Sequence, residues 1–180
     1  FMVQKPTVTI ILVGSQLSSD RPSSDAALNL IHATTAAGHG DIAEVMVCMF
    51  GPTSDEYGFL HRGTRVRKMH SSYRSTFRTI GDIPVATVRR GEVKPMKPDY
   101  NPRRKDRNVT IMPYFNENVT MIYFYPHMKV EMFHSLIDMG YKGIIIVGTG
   151  LGHVNRELYP ALERAQMENV AVYMTLQTIW

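Results

Sequence analysis

The stretch Gly14-Ser15-Gln16-Leu17-Ser18-Ser19-Asp20-Arg21-Pro22-Ser23-Ser24-Asp25 lies between two segments of different period. Before it, residues 8–13 read Val-Thr-Ile-Ile-Leu-Val, the β-branched apolar run of a buried parallel strand. After it, from Ala26 to Ala37, the residues Ala27, Leu30, Ile31, Thr34 and Ala37 share one helical face. The stretch is thus a strand-to-helix loop at the carboxyl end of a strand, the edge at which open α/β sheets bind ligands. It exceeds the two to six residues typical of such a connection. Gly14 suits a sharp turn, Ser23 or Ser24 can cap the helix, and Asp25 complements the positive end of its dipole.

Working outward, Ile42–Phe50 reads as a second apolar strand, residues 51–56 as a turn, and residues 57–63 as a short hairpin region. Residues 64–77 are polar and basic without a clean period, which marks surface or a site wall. Val85–Val88 reads as a last edge strand of this first unit. A second unit follows, with strands at Val119–Tyr125, Ile144–Val147 and Val170–Leu176. Between them lie an amphipathic helix through Val130, Phe133, Leu136 and Ile137, and another opened by Tyr159-Pro160. Strands separated by helical crossovers of a dozen residues predict a parallel sheet.

With 180 residues and an ordinary apolar fraction, the chain has the composition of a soluble globular protein. No apolar run approaches the roughly 18 residues that a membrane span requires. Cys48 is the single cysteine, so no internal disulfide forms, and its apolar neighbours make it a packed strand residue rather than a nucleophile. The seven histidines show no metal-ligand spacing. Charge is unevenly spread. Of a net +4, residues 89–107 alone hold +5, eight Lys/Arg against three acids, among Pro95, Pro98 and Pro102. A charged, proline-stiffened linker explains this segment, and contact with phosphate backbones is the alternative.

The loop sequence Gly14 to Leu30 resembles that of the asparaginase-like amidohydrolases, above all their archaeal tRNA-dependent branch, which serves glutamyl-tRNA(Gln) amidotransferases. Val66-Arg67-Lys68 followed by Thr76-Phe77 matches a second pattern of the family, in which a lysine precedes a hydroxyl-rich stretch. The resemblance implies an asparaginase-like α/β fold: two parallel-sheet α/β units joined by a basic, proline-containing linker. Residues 1–88 would be the later part of an N-terminal domain, 89–107 the linker, and 108–180 the first part of a C-terminal domain.

It also implies roles. Lys68 takes the place of the lysine in the family's Thr-Thr-Asp-Lys constellation, and Ser15 would lie beside the substrate amide through its backbone carbonyl. Gly148-Thr149-Gly150-Leu151-Gly152-His153 is a poor dinucleotide fingerprint, and its plain reading is a tight turn. In the family this loop reaches a neighbouring protomer's site with an Asn, a slot that His153 fills here as a substrate-binding candidate. A desolvated lysine beside a carboxylate can exchange a proton with a threonine hydroxyl, which an arginine cannot do. The family's Thr-Gly-Gly-Thr-like and Gly-Thr-Asp-Thr-like motifs are absent from this sequence. The chain therefore reads as a central fragment, inactive alone, of a cytoplasmic glutaminase.

The implied partners are glutamine, the E subunit of the amidotransferase, Glu-tRNA(Gln) reached through the complex, and a second copy in a homodimer. No cofactor is implied for this chain, whereas the E subunit would use ATP and Mg. A plain L-asparaginase is the alternative within the class. A non-catalytic nucleic-acid-binding module using residues 89–107 is the alternative outside it.

Overall fold

The computed structural model describes residues 1–106 and 108–179, so Arg107 and Trp180 lie outside the described residues. The chain divides into two compact units, Phe1–Pro113 and Tyr114–Trp180. In the first, the chain forms β1 (Val3–Gln4), β2 (Ile10–Val13), α1 (Ala26–His39), β3 (Val45–Phe50), β4 (Gly58–Arg62) and β5 (Val66–Lys68). There follow β6 (Phe77–Thr79), β7 (Ala86–Arg89), β8 (Glu92–Pro95) and β9 (Thr110–Ile111).

The main sheet has the order β2-β3-β4-β7-β8, and only its β2–β3 pair is parallel. The expectation of a parallel sheet therefore needs correcting in this unit: the β3–β4 and β7–β8 connections are too short for crossovers, and the longer one from β4 to β7 holds the strands β5 and β6 rather than a helix. Residues 51–57 join β3 to the antiparallel β4, and Arg90 and Gly91, both at positive φ, make the tight turn from β7 to β8. The segment read as a hairpin at 57–63 is the single strand β4. Residues 64–79 supply the small β5–β6 hairpin instead.

Alternate residues of the sheet face α1. Met46 and Cys48 of β3, Leu60 of β4, and Ala86 and Val88 of β7 form one buried cluster with Ala33, Ala36 and Ile42, and Ile11 of β2 packs against it. The small Ala33 and Ala36 let the helix approach closely. The helix presents a different face from the expected one. Asn29, His32, Ala33 and Ala36 are buried, while Leu30 and Ile31 are more than half exposed. Burial pushes the Cys48 thiol up to about 12, as befits an unreactive packed cysteine.

Residues 89–107, read as linker and described except for Arg107, contain the edge strand β8, and parts of the segment bond back to the first unit. Arg103 donates to the Ala37 and Gly38 carbonyls at the end of α1 and to Thr9. Glu44, 6% exposed at its side chain, takes two bonds from Arg62 and one from the Asn101 amide. Lys97 pairs with Asp82 and Asp99.

The second unit matches its sequence pattern. Strands β10 (Val119–Tyr123), β11 (Gly143–Gly148) and β12 (Ala171–Leu176) pair in parallel, in that order. Helices α2 (Glu131–Asp138) and α3 (Tyr159–Met167) provide the crossovers. Phe133 and Ile137 of α2, Ala161 and Ala165 of α3, and Ile144 and Ile146 of β11 share one core. Among the described residues, no helix is long and apolar enough to cross a membrane.

By strand alternation, His61 lies on the face of the first sheet opposite α1, where its Nδ1 meets Thr79 Oγ1 at 2.9 Å. It is 1% exposed, and burial, assisted by the charge of Arg78, lowers its pKa to about 4. The unfolded chain binds a proton below about pH 6.5 that folded His61 refuses. Stability from this group is thus intact above pH 6.5 and is lost progressively down to about pH 4, by about 3 kcal/mol. His32, also lowered by burial, acts in the same direction. Urea midpoints from pH 7 to pH 4 should fall less steeply for His61→Gln than for the native chain. Equal slopes would show that His61 is not the source.

Candidate active site

At the carboxyl end of β2 the loop folds back onto the start of α1 around one carboxylate. Asp25 is fully buried, and its oxygens accept from the Gln16 amide at 3.0 Å, the Leu17 amide at 2.9 Å and Asn29 Nδ2 at 2.7 Å. Asn29, one helical turn on, also donates to the Gly14 carbonyl at 3.0 Å. Asp25 stands at the N-cap position of α1, but its side chain bonds no helix amide and serves the loop instead. Ser24 takes part of the capping role, with Oγ accepting from the Ala26 amide and donating to the Leu17 carbonyl.

Two successive turns, Arg21 N–H to Ser18 O and Ser24 N–H to Arg21 O, close the outer part of the loop. Gly14 has neither a positive φ nor a neighbour that a Cβ would strike, so the turn does not depend on it. Ser15 is exposed, yet its position is set, because the Gly14 carbonyl before it and the Gln16 amide after it are both tied down.

Lys68 is the last residue of β5, exposed and opposite Phe77 in the hairpin. The connection beyond it is held by its own side chains. Thr76 Oγ1 accepts from the His70 amide at 2.7 Å and donates to the His70 carbonyl at 2.5 Å, and Met69 N–H reaches the Thr76 carbonyl. His70 Nδ1 accepts from the Ser72 and Tyr73 amides.

The structure brings this hairpin and the Ser15 loop together. Gln16 Nε2 donates to the Ser71 carbonyl at 2.6 Å, and Arg74 donates to the Ser23 carbonyl at 3.3 Å. Between them is a cavity of about 320 Å³ lined by Gln16, Leu17, Ser23, Ser71, Ser72 and Arg74. Ser15 and Lys68 belong to the segments that bound this cavity but are not among its lining residues. Sequence reasoning missed Gln16, Asn29 and Arg74. The four-residue spacing of Asp25 and Asn29 at a helix start was the available sign for one of them.

His153 belongs to the second unit. Thr149 and His153 close a turn in which each backbone amide bonds to the other residue's carbonyl, at 3.0 and 2.8 Å. Gly152 has φ +96°, and a Cβ on Gly148 would come within 2.9 Å of its backbone, so this turn requires both glycines. Gln177 fastens it, with its amide N–H on the Gly148 carbonyl and Nε2 on the Phe124 and Val147 carbonyls. The His153 side chain remains exposed.

These features define an α/β protein whose candidate site is a pinned loop at a sheet's carboxyl edge, met by a lysine-bearing hairpin. Two family descriptions match the chain: "Asparaginase, N-terminal" over residues 1–100, and "Glutaminase/Asparaginase C-terminal domain" over residues 118–180. The chain belongs to the asparaginase family. It is 50% identical over its whole length to the D subunit of the glutamyl-tRNA(Gln) amidotransferase of Thermococcus kodakarensis, and 49% to that of Pyrococcus furiosus. With that of Methanopyrus kandleri it shares 44%. The chain spans only about two fifths of these relatives, 41%, 41% and 40% of their lengths. Among solved structures, the thermostable L-asparaginase from Thermococcus kodakarensis superposes with a TM-score of 0.84 at 27% identity, over 99% of this chain and 52% of that one.

Removal of the Asp25 carboxylate leaves two backbone amides and the Asn29 side chain without their acceptor. Asp25→Ala should cost about 2–4 kcal/mol in urea unfolding and speed hydrogen exchange at Gln16 and Leu17. A change within about 0.5 kcal/mol would show that the loop does not depend on this carboxylate.

Proposed function

We propose that this chain is part of the glutaminase subunit of a tRNA-dependent amidotransferase. The observation that carries the reading is the junction of the Ser15 loop with the Lys68 hairpin, in a chain 50% identical to an amidotransferase D subunit. The whole subunit would release ammonia from glutamine. A threonine hydroxyl attacks the side-chain amide carbon, the C–N bond breaks, and the hydroxyl's proton leaves with the nitrogen as ammonia. Water then cleaves the acyl-enzyme ester to glutamate and restores the hydroxyl. Lys68 serves in the proton relay, and the Ser15 backbone carbonyl lies beside the substrate amide.

Ammonia passes to the E subunit, which activates Glu-tRNA(Gln) with ATP and Mg, while this chain binds no cofactor. His153 contacts substrate across a homodimer. The nucleophilic threonines are not in these residues, so the chain by itself is inactive. A plain L-asparaginase is the weaker reading, because the solved L-asparaginase shares 27% identity against 50% for the amidotransferase relative from the same organism. An RNA-binding role for residues 89–107 is the weaker reading, because Arg103 and Arg104 each donate to the chain's own carbonyls, at Ala37 and Lys5.

Ammonia release from glutamine and from asparagine tests the proposal. The 180-residue chain should release none, whereas the chain extended to the length of its relatives should prefer glutamine. In that longer chain Lys68→Met should lower kcat by at least about 100-fold, the scale of a lost proton-transfer group. Preference for asparagine would favour the plain asparaginase, and turnover by these residues alone would place a nucleophile within them.

A further inference from the structure

We infer that Arg74 is a positioning residue that latches the Ser15 loop to the Lys68 hairpin. Its guanidinium reaches three segments outside its own hairpin. One nitrogen pairs with Asp55 Oδ1 at 2.7 Å, in the turn between β3 and β4, and also donates to the Ser23 carbonyl at 3.3 Å. The guanidinium carbon lies 4.8 Å from the ring centroid of Phe50, the fully buried last residue of β3.

Each contact has a consequence. Ser23 has φ +61°, a left-handed conformation uncommon for a residue with a side chain, so a donor on its carbonyl steadies a strained point of the loop. Phe50 gives the cation a fixed platform inside the sheet. Asp55, half exposed, holds the fork in register, although by itself such a pair contributes little. Stacking on a ring while donating in the plane requires a planar guanidinium, and a lysine ammonium would have to choose one partner.

The latch acts on the site because both parts it joins are internally stiff. The Thr76 and His70 bonds fix residues 69–76 directly beyond Lys68, and the Asp25 bonds fix residues 14–17 around Ser15. Among the described residues, the bonds Gln16 to Ser71 and Arg74 to Ser23 join these bodies. Without Arg74 the bodies lose one of these ties and gain freedom to pivot about Gln16–Ser71. Misplacement of reacting groups by about 1 Å can cost about 100-fold in rate.

The catalytic consequence rests on the amidohydrolase reading, while the latch itself does not. Hydrogen exchange in the 180-residue chain reads the latch alone. Arg74→Met should speed exchange at the Arg21 and Ser24 amides at least about 10-fold while the amides of β3 keep their protection. Unchanged exchange at residues 17–24 would overturn the inference. Should Arg74→Met not fold, Arg74→Gln keeps a planar donor head but is shorter and uncharged, so it loses the Phe50 stacking and the Ser23 bond together, and the same two outcomes decide.

In the longer chain, Arg74→Met should raise KM for glutamine or lower kcat at least about 10-fold with the thermal midpoint unchanged, and Arg74→Lys should not rescue it. Full rescue by Arg74→Lys would show that charge alone suffices and overturn the latch. If the native longer chain hydrolyses no amide, the functional reading fails and the exchange experiment still decides the role of Arg74.

Discussion

Asp25 sets an anionic acceptor, fully buried, at the point where strand, loop and helix meet. Burial of such a group is tolerable only if its oxygens are satisfied, and here the loop's own amides at Gln16 and Leu17 satisfy them together with Asn29. The carboxylate thus determines the loop's path. A loop this long would ordinarily sample many conformations, but one whose first amides must converge on a single buried group cannot. The position of Ser15 is a consequence of that constraint rather than of any contact made by its hydroxyl.

The same constraint extends to the hairpin. The main sheet has α1 on one face, and the opposite face is where His61 of β4 meets Thr79 of β6. The loop leaves β2 at the edge of this sheet, so it can touch the helix through Asn29 and the hairpin through Gln16. Asp25 orders the first of these contacts, and Gln16 offers its backbone to Asp25 while its side chain reaches Ser71. One residue therefore couples the buried carboxylate to the lysine-bearing segment.

The strand, loop and helix order was legible because β-branched residues and a 3.6-residue period announce themselves locally. The phase of α1 was not. Its buried side bears Asn29 and His32, and its exposed side bears Leu30 and Ile31, so apolarity pointed the wrong way. Asn29 is buried because a carboxylate and a carbonyl await it, and only the tertiary structure shows those partners. The polar contacts of residues 89–107 were likewise hidden from the sequence. Their charges look like a solvated linker until Glu44, Asp82 and the end of α1 are placed beside Asn101, Lys97 and Arg103. In the second unit the buried cluster through α2, α3 and β11 is apolar, and its parallel order followed from pattern alone. In the loop, composition identified the segment but not which aspartate would be buried: Asp20 is exposed beside Arg21, and Asp25 is enclosed.

On the proposed reading, a proton relay through Lys68 requires a carboxylate at its side and shelter from water. Among the described residues Lys68 makes no ion pair, and it is exposed on its hairpin. The hairpin thus contributes position but not environment. Both missing conditions could be met at once by a segment bearing the threonines and their aspartate, if it were laid against the exposed side of β5. Such an arrangement would divide the work chemically: on that reading the Ser15 loop and the hairpin would hold the substrate edge and the lysine in register, and the group that forms the covalent bond would also bring the carboxylate that makes the lysine useful. On that reading the exposed setting of Lys68 is compatible with its proposed role, because the shelter would come with the nucleophile rather than from the hairpin.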